Sequence, residues 1–345
     1  MELSRFCKAF GAVALCAVML ATPAEAAEGR TYHLLILDSQ AGNPYDEVRA
    51  ALLETLAGRG YEVGRNLETV QRVTGNDAAE GERILRSEPL DHYDAVFVGG
   101  TVATIAAKNV LYGRPDVPVV FGAPTDPVGI GVIQDFKSPP AANFTGVCYP
   151  VPVKARLMFV RQLLPQAKKL GLIYADMPQS HSYNQWLREL LATDPALSDL
   201  EIVFRPVPLI TGENGDRAMA EAAVAEIRAL DPEVDAFLKP NDQLGTRRAL
   251  AEAVYEHASK PLIGLVKDDV MGDWGATAVV YPSHASIGEQ AAAMLVELFQ
   301  GKPVARIVPE WPRKYGYAVD LPKARRFGIK VPIGILQLAG ENIVK

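Results

Sequence analysis

With 345 residues, 49% of them hydrophobic, the chain can bury a large core and is long enough for two domains rather than one. A formal net charge of -6 favours solubility and leaves no basic stripe for nucleic acid. Only three cysteines are present, too few for a disulfide scaffold, so stability must come from the core.

In chain order, the amino terminus sets the compartment. Arg5 and Lys8 precede an apolar run over residues 10–21, followed by Thr22-Pro23-Ala24-Glu25-Ala26. A basic start, a short apolar stretch and an Ala-x-Ala site predict a signal peptide over residues 1–26, cleaved before Ala27. The run is about a dozen residues, whereas a bilayer span needs about 20. An uncleaved anchor is the alternative. Phe6 before Cys7 and Leu15 before Cys16 lack the small residue that lipid attachment requires. Cleavage leaves Cys148 alone, so the exported chain has no internal disulfide, and the charges of the leader cancel.

Beyond the leader, short β-branched runs alternate with stretches of helical spacing. Strands are predicted over 33–37, 95–98, 117–121, 170–174, 202–205, 236–239 and 262–266. Helices are predicted over 45–57, 78–86, 102–111, 154–164, 183–192, 218–230, 244–257 and 285–299. Such alternation predicts an α/β chain with parallel sheets covered by helices on both faces.

The joints between these elements carry the polar chemistry. Asn43-Pro44 with Asp46 and Glu47 reads as a helix start, and Gly99-Gly100-Thr101 lets backbone amides approach an anion. The apolar run 117–121 ends at Thr125-Asp126-Pro127, and Asn241-Asp242 follows the run 236–239. Open α/β sheets bind ligands at the carboxyl ends of their strands. Asp38, Ser39, Gln40, Thr101, Thr125 and Asp126 fall at that place in the first half. Tyr174, Gln179, Ser182, Asn241 and Asp242 fall there in the second. Each alone reads as an ordinary cap; together they predict two facing crevices that form a cleft. Tyr45, Tyr149, Tyr174, Tyr183 and Trp186 would either wall that cleft or pack in the core.

Catalytic and metal signatures are missing. The five histidines, His33, His92, His181, His257 and His284, are too far apart for a short-spacing zinc motif, and there is no HExxH, GxSxG, Walker A or GxGxxG. No cofactor, metal or catalytic residue is therefore expected. Asn143-Phe144-Thr145 fits a glycosylation sequon but reads better as a turn before a strand.

Residues 119–147, with Thr125-Asp126-Pro127-Val128-Gly129 and Asn143-x-Thr145-Gly146, resemble the ABC transporter substrate binding protein family, periplasmic components related to tryptophan and tyrosine binders. The likeness continues through Leu163-Leu164-Pro165, the stretch 168–174, Asp242-Gln243, Gly288-Glu289-Gln290-Ala291-Ala292, Gly301-Lys302-Pro303 and residues 324–332. It implies a type I periplasmic binding (Venus-flytrap) fold of two Rossmann-like lobes joined by three crossings, placed near Pro165, Tyr281 and Pro309. The first lobe would be residues 30–164 plus 282–308, the second 165–281 plus 309–345. By the same resemblance Thr125, Ser39 and Thr101 would hold a ligand carboxylate and Asp242 its ammonium. Gln243 stands where the family usually has Asn, and 178–184 is only loosely like its Asn/Ser-rich loop, which leaves the ligand open. The implied protein is a monomeric periplasmic receptor handing a small solute, an aromatic or aliphatic amino acid, to an inner-membrane ABC permease. The alternative is an exported sensor presenting its ligand to a membrane signalling receptor; a secreted hydrolase or glycosyl-transferring enzyme is a third class.

Overall fold

The computed structural model describes residues 29–210 and 214–345; the signal-peptide reading lies outside the described residues. The first lobe runs β1 (Tyr32–Asp38), α1 (Tyr45–Gly58), β2 (Leu67–Val73), α2 (Ala78–Ser87), β3 (Ala95–Gly99), α3 (Thr101–Leu111), β4 (Val119–Gly122), the single turn α4 (Pro127–Ile130) and β5 (Phe144–Val147). Its five strands lie in the order β2-β1-β3-β4-β5, all parallel. The inner strands β3 and β4 are buried along their whole length, which is why they read as unbroken apolar runs. The sheet is covered on two faces by separate apolar clusters, one centred on Leu34, Leu52 and Phe97, the other on Leu35, Val98 and Phe121.

The second lobe begins with α5 (Val153–Leu163) and β6 (Lys169–Ala175), then α6 (Pro178–Thr193), β7 (Glu201–Val207), α7 (Gly215–Leu230), β8 (Ala236–Leu238), α8 (Arg248–His257), β9 (Leu262–Ile263), α9 (Asp268–Met271) and β10 (Ala278–Pro282). The chain then returns to the first lobe as α10 (His284–Phe299), which lies along α1. Gly288 makes that approach possible: a Cβ there would sit 2.2 Å from Val48 O. The chain finally rejoins the second sheet as β11 (Tyr315–Asp320), α11 (Leu321–Arg326), α12 (Ile333–Ala339) and β12 (Ile343–Val344). The second sheet is ordered β12-β11-β10-β9-β8-β6-β7, parallel except where β11 runs against β10. Two connecting segments lie side by side: Glu310 N donates to Gly146 O at 2.8 Å and Cys148 N donates to Glu310 O at 3.1 Å.

The two-lobed α/β architecture agrees with the sequence reading, with local differences. Residues 153–163 were expected in the first lobe, with a crossing near Pro165. Instead Val153, Leu157, Val160 and Leu163 pack with Leu170 and Leu172 in the second core. An amphipathic helix announces its apolar face, not which sheet that face covers. β2 went unread because it is an edge strand whose sequence LETVQRV buries little beyond Leu67. The helix expected from 244 begins only at Arg248, after a turn in which Gly245 N bonds to Asp242. At the sequon, Asn143 is buried and gives its amide to Leu111 O and Val117 O, so the side chain is structural.

Candidate functional site

The carboxyl ends of β1, β3 and β4 bring the first group of polar residues together, and much of their bonding capacity is spent locally. Ser39 Oγ donates to Gly99 O at 2.8 Å and accepts from Ala103 N at 3.0 Å, so it caps α3 from the neighbouring strand. Thr101 Oγ1 accepts from Thr125 N at 3.1 Å, tying the start of α3 to the loop after β4. Gly100, at φ +89°, lets this packing close: a Cβ there would lie 2.4 Å from the Tyr45 ring and 2.7 Å from Ser39 Oγ. Burial raises the Tyr45 phenol pKa, while the charge of Arg247, from the second lobe, pulls the other way. Gln40 is half-buried just beyond β1.

Two carboxylates in this lobe are almost fully buried. Asp38 is paired with Arg49 of α1, yet burial dominates and pushes its carboxyl up to about 6. Asp126 is 1% exposed and caps α4, Oδ1 accepting from Gly129 N at 2.7 Å. Asp38 Oδ1 and Asp126 Oδ2 have no hydrogen-bond partner among the described residues.

In the second lobe, Asp242 is bracketed by its own surroundings. It accepts from Ala175 N at 3.0 Å, Ser180 Oγ at 2.8 Å and Gly245 N at 2.8 Å. Burial raises its carboxyl to about 6 even so. Those three bonds join the end of β6, the first turn of α6 and the loop after β8. Asn241 is buried beside it, with Nδ2 unpartnered among the described residues. Tyr174 belongs to the core, with its ring edge-on to His181 at 5.8 Å. Tyr183 is core as well, and Tyr149 is buried and stacked on His284. Trp186 is half-buried and meets Trp311 edge-on at 5.5 Å. Trp311 in turn meets Phe136 of the first lobe at 4.6 Å.

The lobes meet where α4 faces the first turn of α6. Between them, and against α3, lies a cavity of about 270 Å³ lined by Lys108, Asp126, Ile130, Pro178, Gln179 and Ser182 among others. A Cβ built on Gly129 would lie 2.0 Å from Asp126 Oδ2 and 2.8 Å from Ser182 Oγ, so these two atoms from opposite lobes flank one point. Of the residues expected at the cleft, Asp126, Gln179 and Ser182 thus converge in one interlobe cavity. Ser39, Tyr45, Thr101 and Thr125 gather around Gly100 in the first lobe alone. Asn241 and Asp242 lie within the second lobe and Tyr174 in its core.

Charged groups that the sequence reading did not single out also lie at these strand ends. Arg156 of α5 is 1% exposed and donates to Lys239 O at 2.6 Å and Gly264 O at 3.2 Å, just past β8 and β9. Lys239 is fully buried against Asp269, and burial lowers its ammonium pKa. Nothing in their spacing marks them, because their partners are backbone carbonyls and a residue thirty positions away. Among the described residues no cluster of His, Cys, Asp or Glu could hold a metal ion, and no helix is long and apolar enough to cross a membrane.

Residues 38–343 match the family described as ABC transporter substrate binding protein. A tyrosine-binding protein of Clostridioides difficile is 25% identical over 264 residues, which cover 76% of this chain and 71% of that protein. Among solved structures, an ABC domain in complex with L-Trp from Streptococcus pneumonia superposes with a TM-score of 0.69 at 19% identity, covering 91% of this chain and 100% of that one. The ligand-free, open structure of a substrate binding protein with adhesive properties from Clostridium difficile gives 0.71 at 20% identity, covering 91% and 98%. These structural likenesses establish the fold.

Proposed function

The chain belongs to the ABC transporter substrate binding protein family, and from that premise we propose that it is an exported, non-catalytic receptor for a small amine-bearing solute. The solute is an aromatic or aliphatic amino acid, caught between the lobes and handed to an ABC permease. The protein works in the periplasm as a monomer. The observation that carries this reading is the interlobe cavity, where Asp126 of the first lobe and Gln179 and Ser182 of the second face one another. A solute touching both walls favours the closed state by its difference in affinity for closed and open forms, and that difference is what a membrane partner can read. The kinship to a tyrosine-binding protein supports an amino acid as cargo.

The test uses the mature protein, purified without added solute. Native mass spectrometry of what co-purifies, together with thermal shifts against the twenty amino acids and a panel of sugars, is expected to single out amino acids. A protein that carries nothing and is stabilised by none of them would refute the reading. Uptake of the identified amino acid should fall in a strain lacking the protein; unchanged uptake would count against the permease as partner.

A further inference from the structure

We propose that Asp126, rather than Asp242, holds the ammonium of the ligand, inside the cavity between α3, α4 and the first turn of α6. The proposal rests on the receptor reading above and deepens it by assigning the cationic contact.

Asp242 is a poor holder of a cation because its carboxylate already serves three donors of its own lobe. Asp126 is the opposite case. One of its oxygens caps α4, and the other is buried and meets no donor among the described residues, while Asp126 itself is one of the residues that line the cavity. A buried carboxylate oxygen without a donor is costly, and a cationic N–H is the group that satisfies both its charge and its lone pair.

The neighbours fit the same guest. Gln179 is another residue of the cavity lining, and its Oε1 likewise is buried without a partner among the described residues. Ser182 Oγ donates its proton to Pro178 O at 3.2 Å, which leaves its lone pairs free to accept. Asp126 Oδ2, Gln179 Oε1 and Ser182 Oγ are thus three acceptors, matching the three N–H bonds of a primary ammonium. Two of them come from the second lobe and one from the first, so the full set exists only when the lobes are together. That couples recognition of the amine to closure. Lys108 is the one basic residue among those lining the cavity, and Asp126 the one acid. Its ammonium donates to Ile130 O and keeps further N–H groups for an anion, so the cavity suits a zwitterion better than a dicarboxylate or a diamine.

The experiment measures thermal shift and calorimetric affinity on the mature protein. The probes are L-tyrosine, L-tryptophan and L-leucine, each beside its deaminated acid. For Asp126→Asn the expected result is an affinity for amino acids lowered by about 30-fold or more, as for loss of a charged hydrogen bond. The ligand-free melting temperature should be equal or higher, since the amide oxygen still caps Gly129 and the unpaired charge is gone. Deaminated acids should bind both proteins with the same weak affinity. Ser182→Ala should fold normally and lose about tenfold on amino acids alone, and it decides the matter if Asp126→Asn does not fold. Amino-acid affinity within threefold of the parent in Asp126→Asn, or deaminated acids binding the parent as tightly as amino acids, would overturn the assignment while leaving the receptor reading standing. If no probe stabilises the parent, the amino-acid reading fails and this assignment with it.

Discussion

Replacing Asp242 by alanine removes the acceptor for three buried donors at once: the amide of Ala175, the hydroxyl of Ser180 and the amide of Gly245. Each donor stranded in this way costs about 1–3 kcal/mol, so the gross loss is about 3–9 kcal/mol. Against it stands the relief of a buried charge. The Asp242 carboxyl is held at about 6 against an ordinary 3.8, and a shift of that size corresponds to about 3 kcal/mol disfavouring the ionised form at neutral pH. The difference is a net loss of about 0–6 kcal/mol, with about 3 kcal/mol at its middle as the expected value, confined to the second lobe where all three donors lie. Urea unfolding of the ligand-free protein, followed by far-ultraviolet circular dichroism, reads it as a lower midpoint. An Asp242 that held a ligand's ammonium as well would lose amino-acid affinity in addition to this stability. An unchanged or raised midpoint in Asp242→Ala would therefore refute the assignment of this side chain as a bracket between β6, α6 and the loop after β8.

Acid should stabilise the protein over a defined window. Asp38 and Asp242 are both held at about 6, so between pH 4 and 6 the folded chain binds protons that the unfolded chain has released. Their contribution is fully present below 3.8 and is lost as pH rises through 6, so the unfolding free energy at pH 5.5 should exceed that at pH 7.5, and Asp38→Asn should flatten the slope. A flat or reversed dependence in the parent would contradict the burial of these two groups. Gly288→Ala should destabilise the first lobe by about 1–3 kcal/mol, because the added methyl would meet Val48 O at 2.2 Å and Leu52 N at 2.8 Å and force α10 off α1. A loss under about 0.5 kcal/mol would show that the helices yield freely.

Why the sequence revealed some features and hid others has physical reasons. Inner strands such as β3, β4 and β6 are buried on both faces and so read as continuous apolar runs, and the alternation with helices follows from them. The edge strand β2 carries too few buried positions to stand out. Several of the polar residues expected at strand ends do sit there, Asp38 and Ser39 at the end of β1 and Asn241 and Asp242 after β8, but sequence cannot tell which of them keep bonding capacity for a guest. Ser39 spends its hydroxyl on Gly99 and Ala103, and Asp242 spends its carboxylate on three local donors. Asp126 and Gln179 keep an unpaired acceptor each. Nothing in sequence marks Lys108, because it sits in the last turn of α3, where a lysine ordinarily faces water; here its ammonium reaches the carbonyl of Ile130. The assignment of α5 to the wrong lobe has the same root, since local pattern fixes a helix but only tertiary packing chooses its sheet.

Small-angle X-ray scattering of the mature protein, titrated with the amino acid that stabilises it most, tests lobe closure most directly. The radius of gyration should fall and saturate at the affinity measured by calorimetry, and for Asp126→Asn the same fall should need about 30-fold more ligand or higher. A scattering curve of the parent that does not change at saturating ligand would contradict a receptor that works by closing two lobes on its solute.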